Sequence, residues 1–245
     1  MWPAKSSRKF NRLGFLEHLE ELRQHLLIIL AATGIFSVAA YFFSAQLINF
    51  LTAPLVRFNE AELYFQAPYE AFLVHLKVSL LAGVLAASPV FFAQLWFFVA
   101  PGLHRGERRL IFALIFASAF LFLIGAAFAF WAIVPLGLRV LLGFQTDFMK
   151  PLLGVSPYFS FLVGMIFACG ITFDLPLVVL GLVWTKVLTA EMLGRSRKVV
   201  IVLILVLTAV LTPSPDPVGQ ILLAAPLVIL YEGCVWIAKW LERKK

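Results

Sequence analysis

Several apolar runs in this chain are long enough to cross a lipid bilayer as helices. A helix needs about 20 mainly apolar residues to cross a hydrocarbon core of about 30 Å. Apolar residues make up 62% of the 245 residues and charged residues only 13%, whereas a soluble domain is roughly half apolar and a quarter charged. We therefore expect an all-α, polytopic membrane protein, and a soluble enzyme is excluded.

Six transmembrane helices are predicted within a single domain. The fifth apolar run, Val199 to Leu211, has 13 residues and covers about 20 Å at 1.5 Å per residue, less than a typical hydrocarbon core. The fifth and sixth helices are therefore expected to be short. We predict one domain over residues 1–245, with an amphipathic N-terminus at 1–24, outer loops at 44–74 and 135–156, and membrane segments at 25–43, 75–98, 110–134, 157–182, 198–211 and 218–236.

Basic residues are distributed unevenly across the predicted membrane. With the N-terminus inside, 16 of the 20 Lys and Arg residues fall in segments on the cytoplasmic side. Loops rich in Lys and Arg are held on that side, so both termini are predicted to be cytoplasmic (N-in/C-in). The net charge of +7 reflects this topology, and no nucleic-acid partner is expected.

Cysteine and histidine patterns do not indicate a metal site. Cys169 and Cys234 lie in apolar runs without a CxxC spacing, and the four histidines are scattered. The spans contain neither a GxSxG-like serine nor paired aspartates, so no catalytic residues are expected. The sequence therefore predicts no enzyme, no metal and no cofactor.

Three acidic residues lie near the predicted cytoplasmic ends of the first three spans. Glu20 and Glu21 lie on the polar face of an amphipathic helix whose apolar face carries Leu19 and Leu22. Glu107 lies just before the third span, where a carboxylate favours a helix N-terminus. An interfacial helix and a helix cap would explain these acids separately. Alternatively, Glu21 and Glu107 form one anionic site on the cytoplasmic face.

Asp174 is an ionisable side chain deep in the predicted fourth span. An acid inside a membrane is costly unless it is paired, hydrated or protonated, and such residues are candidates for function. Pro176 cannot donate a helix hydrogen bond, which frees the carbonyl of Thr172 and makes the region more polar. Stabilisation of Asp174 by internal hydrogen bonds is the alternative explanation.

Four motifs, in order along the chain, resemble the TatC family. His18 to Arg23 is similar to the family signature at the start of its first helix, and Phe98 to Arg109 to its first cytoplasmic loop. Phe173 to Pro176 resembles the fourth-helix motif, and Thr212 to Gln220 the last outer turn. The resemblance implies a core receptor subunit of the twin-arginine translocase in the bacterial inner membrane. Such a subunit binds the twin-arginine signal peptides of folded precursor proteins, and the proton-motive force drives their transport.

The resemblance also implies roles for particular residues at the cytoplasmic face. Glu21 and Glu107 would recognise the twin arginines, because carboxylates accept the planar guanidinium fork bidentately. Phe98 would pack beside them, and Glu20 and Arg23 would belong to the same site.

A second set of implied contacts involves partner helices. TatA-like and TatB-like single-span proteins would contact the polar site at Asp174 and Pro176. The family usually has a glutamate at position 174, so Asp174 is a departure. Gln220 and Asp216 in the last outer turn are further candidate contacts, or caps of the sixth helix. The remaining implied partners are the lipid bilayer and other copies of the chain.

A proton-coupled small-solute transporter is the alternative function. It would use Asp174 as its proton carrier and would need a cavity flanked by broken helices, usually in repeated halves. No such repeat is visible in the sequence.

A second departure from the family lies at His25, where the signature commonly continues with a basic residue.

Overall fold

The computed structural model describes residues 7–56, 63–99, 108–143, 152–184, 190–211 and 217–243, and nearly all of them are helical. The all-α fold class is therefore confirmed. A π-helical turn, Ala129–Ile133, joins α5 to α6. Two short strands, β1 (Leu63–Tyr64) and β2 (Leu153–Gly154), pair with each other. The helices are α1 (Ser7–Tyr41), α2 (Ser44–Leu51), α3 (Ala53–Val56), α4 (Glu70–Val99), α5 (Arg108–Phe128), α6 (Val134–Leu142), α7 (Val155–Phe173), α8 (Leu175–Trp184), α9 (Ala190–Arg195), α10 (Arg197–Leu211) and α11 (Pro217–Arg243).

The first four predicted membrane segments coincide with helical stretches that are long and apolar enough to span a bilayer. Within the described residues there are four of these: Leu19–Tyr41, Glu70–Phe98, Phe112–Arg139 and Val155–Val178. The fifth segment corresponds to α10, which has 15 residues and is short, as predicted.

The sixth helix differs from the prediction. α11 has 27 residues, so the helix itself is not short. It continues beyond the predicted apolar segment because residues 237–243 include the good helix formers Ala238, Lys239, Leu241, Glu242 and Arg243. Glu232 on α11 pairs with Arg197, the first residue of α10, at 2.9 Å between Oε2 and Nη2.

α1 and α4 are antiparallel neighbours. His25 contacts Gln94, Ser37 meets Gly83, and Tyr41 meets His75, so α1 advances along the chain as α4 returns. The end of the bundle that carries β1 and β2 is called the outer end here, and the end that carries Glu20 and Phe98 the inner end. α4 also packs against α5 and α7, which places it centrally.

The largest core cluster lies toward the outer end. Phe159 and Leu162 of α7 are almost completely buried there, against Val78 of α4 and Val134 of α6. A smaller cluster nearer the inner end contains Phe92, Trp96 and Phe122, and the Trp96 indole donates to Ser118 Oγ at 3.0 Å.

The segments predicted as outer loops contain ordered elements that are joined to one another. β1 and β2 form a parallel pair in which Leu63 faces Leu153. The hydroxyl of Tyr158 donates to the carbonyl of Leu51 at the end of α2, at 2.8 Å. Helical structure also continues into the predicted 135–156 loop as far as Leu142, because the π-helical turn precedes Pro135 and accommodates its missing N–H.

Pro89 lies inside α4, where it cannot donate a hydrogen bond to the carbonyl of Leu85. In a bilayer no water is available to replace that bond. The neighbouring Ser88 hydroxyl donates to the Leu85 carbonyl at 2.7 Å. α4 therefore satisfies this carbonyl with one of its own side chains.

Candidate functional site

The inner end of α1 carries three of the predicted site residues, all on exposed positions of one helix. Glu20, Glu21 and Arg23 project from α1. Arg23 Nη1 lies 3.4 Å from Glu20 Oε1, so these two residues pair with each other. Exposed pairs of this kind contribute at most about 1 kcal/mol to stability. Arg23 and Glu20 are therefore only weakly tied and remain accessible to a ligand.

Phe98 lies near the inner end of α4 and contacts a residue that the sequence did not assign to the site. The ring of His25 on α1 meets the Phe98 ring edge-on, with centroids 6.1 Å apart and planes at 74°. His25 Nδ1 also lies 2.5 Å from Gln94 Oε1, a short hydrogen bond between α1 and α4. Both His25 and Gln94 are half-buried.

Helical spacing aligns these residues with Glu21. His25 follows Glu21 by four positions and Phe98 follows Gln94 by four, so each pair shares one face of its helix. Because His25 is opposite Gln94 on an antiparallel neighbour, Glu21 lies at the level of Phe98. This i, i+4 spacing was the available signal in the sequence, but the register between α1 and α4 could not be obtained from it.

Two predicted site residues lie outside the described residues. Glu107 belongs to the segment 100–107, and Asp216 to the segment 212–216. The predicted pairing of Glu21 with Glu107 therefore stays a prediction, as does the contact at Asp216.

Asp174 occupies the break between α7 and α8. Its side chain is buried, with 5% exposure, and both carboxylate oxygens lack a hydrogen-bond partner among the described residues. Its backbone carbonyl accepts from the N–H groups of Leu177 and Val178 at 3.0 and 3.1 Å. Nothing in the described structure supplies the internal hydrogen bonds that were the alternative explanation for this acid.

The surroundings of Asp174 follow from Pro176. Proline has no N–H to donate back to the carbonyl of Thr172, and the helix restarts at Leu175 instead of continuing. The Thr172 hydroxyl donates to the Ala168 carbonyl at 2.7 Å and is thereby engaged within α7. At this break the described neighbours therefore leave both carboxylate oxygens of Asp174 without a hydrogen bond.

Gln220 bridges α11 and α10. Its Nε2 donates to the carbonyl of Leu205 at 2.9 Å, so the side chain links the two helices near the last outer turn. The predicted role as a contact for a partner helix is not tested by this bond.

Lys77 on α4 makes a contact that the sequence did not predict. Its ammonium donates to Ser160 Oγ at 2.8 Å and to Ser156 Oγ at 3.3 Å, which joins α4 to the first turns of α7.

As for metal ions, no group of three or more His, Cys, Asp or Glu side chains in the described ranges could hold one.

Known proteins resemble this chain over most of its length. Residues 17–226 match the family model for the Sec-independent protein translocase protein TatC. The chain is 38% identical over 229 residues to the TatC protein of Carboxydothermus hydrogenoformans, covering 94% of each. It is 38% identical over 232 residues to that of Aquifex aeolicus, covering 94% of this chain and 96% of the relative. The chloroplastic protein of Arabidopsis thaliana is 37% identical over 244 residues, covering 98% of this chain and 70% of the relative.

The fold agrees with a solved structure as well. The crystal structure of the twin-arginine translocase receptor TatC superposes with a TM-score of 0.84 at 37% identity, covering 91% of this chain and 98% of that one. Sequence and fold therefore match the same family across nearly the whole chain. On both grounds, the chain belongs to the TatC family of Sec-independent protein translocase proteins.

Proposed function

We propose that this chain is the receptor subunit of a twin-arginine translocase and binds twin-arginine signal peptides at its inner end. The observation that carries the proposal is the contact between α1 and α4, which sets Glu21 at the level of Phe98. An acidic side chain and an aromatic ring then face the same site. A signal peptide offers the matching chemistry, with two guanidinium groups followed by an apolar segment. The TatC family supplies a translocase component and no catalytic step.

Arginine is the preferred ligand of such a site for a geometric reason. Its planar guanidinium presents N–H donors in a fork that matches the two oxygens of a carboxylate. Lysine carries the same charge but only as a compact ammonium, so it forms no fork. Glu21 and Glu107 are the carboxylates that we assign to the two arginines, with Glu20 and Arg23 at the edge of the site.

A binding experiment on the purified, detergent-solubilised chain tests this assignment. Fluorescence anisotropy would measure the affinity for a labelled signal peptide with Arg-Arg and for the same peptide with Lys-Lys. We expect Arg-Arg to be preferred, and Glu21→Ala or Glu107→Ala to weaken its binding about tenfold or more, the cost of losing a charge-assisted hydrogen bond.

The matched control is Glu191→Ala. Glu191 is an exposed glutamate on α9 that pairs only weakly, at 3.6 Å, with Arg195. Its removal changes the net charge by the same amount without touching α1 or α4, so the affinity should stay at the parent value. Equal affinity for both peptides in a folded parent protein would refute the receptor function.

We further propose that the break at Asp174 receives a single-span partner of the TatA-like or TatB-like type. A buried carboxylate without a described partner is matched by a polar side chain on an incoming helix. Pro176 supports this assignment because it keeps the break open, and Gln220 and Asp216 would contact the same partners at the last outer turn. Further copies of the chain in the assembled complex are part of the same proposal.

The proposed location is the bacterial inner membrane with both termini in the cytoplasm. The bias of Lys and Arg toward the inner connections supports this orientation. The rival function, a proton-coupled solute transporter, rests on Asp174 alone. In the proposed function, the proton-motive force drives the transport of precursor proteins and not of a small solute.

A further inference from the structure

His25 of α1 contacts two residues of α4 beside the proposed receptor site. Its Nδ1–H donates to Gln94 Oε1 at 2.5 Å, and its ring meets Phe98 edge-on with centroids 6.1 Å apart. It also shares a face of α1 with Glu21, one helical turn away. One side chain therefore contacts α4 twice while it stands beside the acid that we assign to an arginine.

The polar character of this contact is unusual for its surroundings. The residues of α4 from Ala87 to Val99 include no charged side chain, and Gln94 is the amide among them. A half-buried amide next to apolar neighbours needs a hydrogen-bond partner, and losing that partner weakens the packing around it. His25 supplies the partner across the interface between the helices. The bond therefore joins α1 to α4 at this level and orients the Gln94 side chain.

A fixed distance matters because the two sides of the proposed site lie on different helices. Glu21 stands on α1, whereas Phe98 stands on α4. Discrimination between a guanidinium fork and an ammonium depends on the placement of carboxylates to within a fraction of an ångström. Any loosening of α1 against α4 would lower this discrimination more than it lowers simple charge attraction.

We propose that His25, held by Gln94, is a positioning residue of the signal-peptide site that sets its preference for arginine over lysine. The proposal rests on the receptor function given above. His25 itself does not bind the arginines. It contacts the Phe98 ring from the side and holds the face of α1 that carries Glu21 against α4.

Two substitutions separate the two contacts of His25. His25→Phe keeps a ring against Phe98 and removes the hydrogen bond to Gln94. His25→Asn places an amide nitrogen where Nδ1 stands, so it keeps a donor and removes the ring. We expect His25→Phe and Gln94→Leu each to reduce the ratio of Arg-Arg to Lys-Lys affinity about tenfold, and His25→Asn to retain most of that ratio.

The chain offers a closely matched control at the outer end. His75 Nδ1 lies 2.8 Å from Ser44 Oγ, and its ring meets Tyr41 edge-on with centroids 6.3 Å apart. His75→Phe therefore removes the same type of bond, between α4 and the segment that begins where α1 ends, far from Glu21. It should leave the affinity ratio unchanged, even if it lowers thermal stability as much as His25→Phe does.

The measurement is peptide anisotropy on purified protein, combined with thermal unfolding in the same detergent. A double variant, His25→Phe with Gln94→Leu, should cost no more than either single change, because both remove one bond. An unchanged affinity ratio in folded His25→Phe and Gln94→Leu proteins overturns the proposal while the receptor function stands. Equal losses in His75→Phe would also overturn it, since they would indicate general loosening. A parent protein without any Arg-Arg preference defeats the receptor function itself.

Discussion

Gly83 of α4 lies directly against the backbone of Ser37 of α1. A β-carbon built on Gly83 would lie 2.6 Å from the Ser37 backbone nitrogen and 2.7 Å from its Cα, and it would also overlap the Ser37 hydroxyl. Real β-carbons do not approach backbone atoms so closely, so only glycine fits at this crossing. Small residues at helix crossings let backbones approach in a membrane, where dispersion contacts between helices replace the hydrophobic effect as the source of stability.

Gly83→Ala should therefore separate α1 from α4 and destabilise the protein. We expect a cost of about 1–3 kcal/mol, the usual range for an overpacked site, seen as a lower thermal unfolding midpoint in detergent. Ser37→Ala in the same background should not restore stability, because the clash with the Ser37 backbone remains. Gly34→Ala is the matched control, since a β-carbon there meets nothing within 4 Å. Equal midpoints for Gly83→Ala and Gly34→Ala would contradict the close crossing.

Ser88→Ala should cost about 1 kcal/mol because it leaves the Leu85 carbonyl without a donor. Ser79→Ala is a control of the same type on the same helix. Ser79 Oγ also donates to a carbonyl of the preceding turn, that of His75, at 2.7 Å. The His75 carbonyl keeps the regular backbone bond from the Ser79 N–H in the variant. Loss of the Ser79 hydroxyl should therefore cost less than loss of the Ser88 hydroxyl. Thermal unfolding of both variants measures the difference.

A Pro89→Ala background tests whether the Ser88 hydroxyl compensates for the N–H that proline lacks. Pro89→Ala restores an N–H that can bond to the Leu85 carbonyl, so Ser88→Ala should be nearly neutral in that background. A double-mutant cycle on the unfolding free energy gives the coupling. If Ser88→Ala costs the same in the parent chain and in the Pro89→Ala variant, the hydroxyl does not compensate for the proline.

Asp174→Asn should separate stability from function. The described structure provides no partner for either carboxylate oxygen, so a neutral amide of the same size should leave the unfolding midpoint unchanged or raise it. Co-purification with a TatA-like or TatB-like partner should fall. Glu191→Gln makes the same chemical change on exposed α9 and should alter neither quantity. A lower midpoint for Asp174→Asn would mean that the carboxylate is bound within the chain.

The same variant tests the transporter alternative. The parent protein in liposomes should show no solute-driven proton uptake, and Asp174→Asn should not change the signal. Uptake in the parent that disappears in the variant would favour the transporter.

The proposed orientation predicts which cysteines a membrane-impermeant thiol reagent can reach. In a background without Cys169 and Cys234, Gln66→Cys at the outer end should be labelled in intact spheroplasts. Glu191→Cys should be labelled only in inverted vesicles, because α9 lies on the predicted cytoplasmic side. Labelling in the opposite pattern would show that the inner end faces away from the cytoplasm. The inner end could then not be the receptor for cytoplasmic peptides.

The apolar runs were sufficient to predict the all-α class and the first four spans, because about 20 consecutive apolar residues have few alternatives in a bilayer. Boundaries were less predictable. α4 begins at Glu70, whose carboxylate accepts the backbone N–H of Gln66 at 3.0 Å, a local contact outside the apolar run. α6 continues through Pro135 because a π-helical turn precedes it, and no propensity rule predicts that turn.

For the candidate site, which stays a prediction, the sequence could single out only residues that are unusual by themselves. Asp174 stood out because an acid is rare in a span, and the structure places it buried without a described partner. His25 stood out only as a departure from the family signature and Gln94 not at all, because neither residue indicates a contact by itself and they lie 69 positions apart. Their contact depends on the register of α1 against α4, which is set by packing along the whole interface.

The pairing of β1 with β2 belongs to a set of long-range connections at the outer end of the bundle. This ladder, the Tyr158 hydroxyl and the Lys77 ammonium connect segments about 80 to 110 positions apart. Local opening costs most where such connections are dense. We therefore expect amide hydrogens of the described outer rim to exchange slowly with solvent. A bound precursor would then leave this rim closed while it acts on the inner end, where the bond between His25 and Gln94 holds α1 to α4.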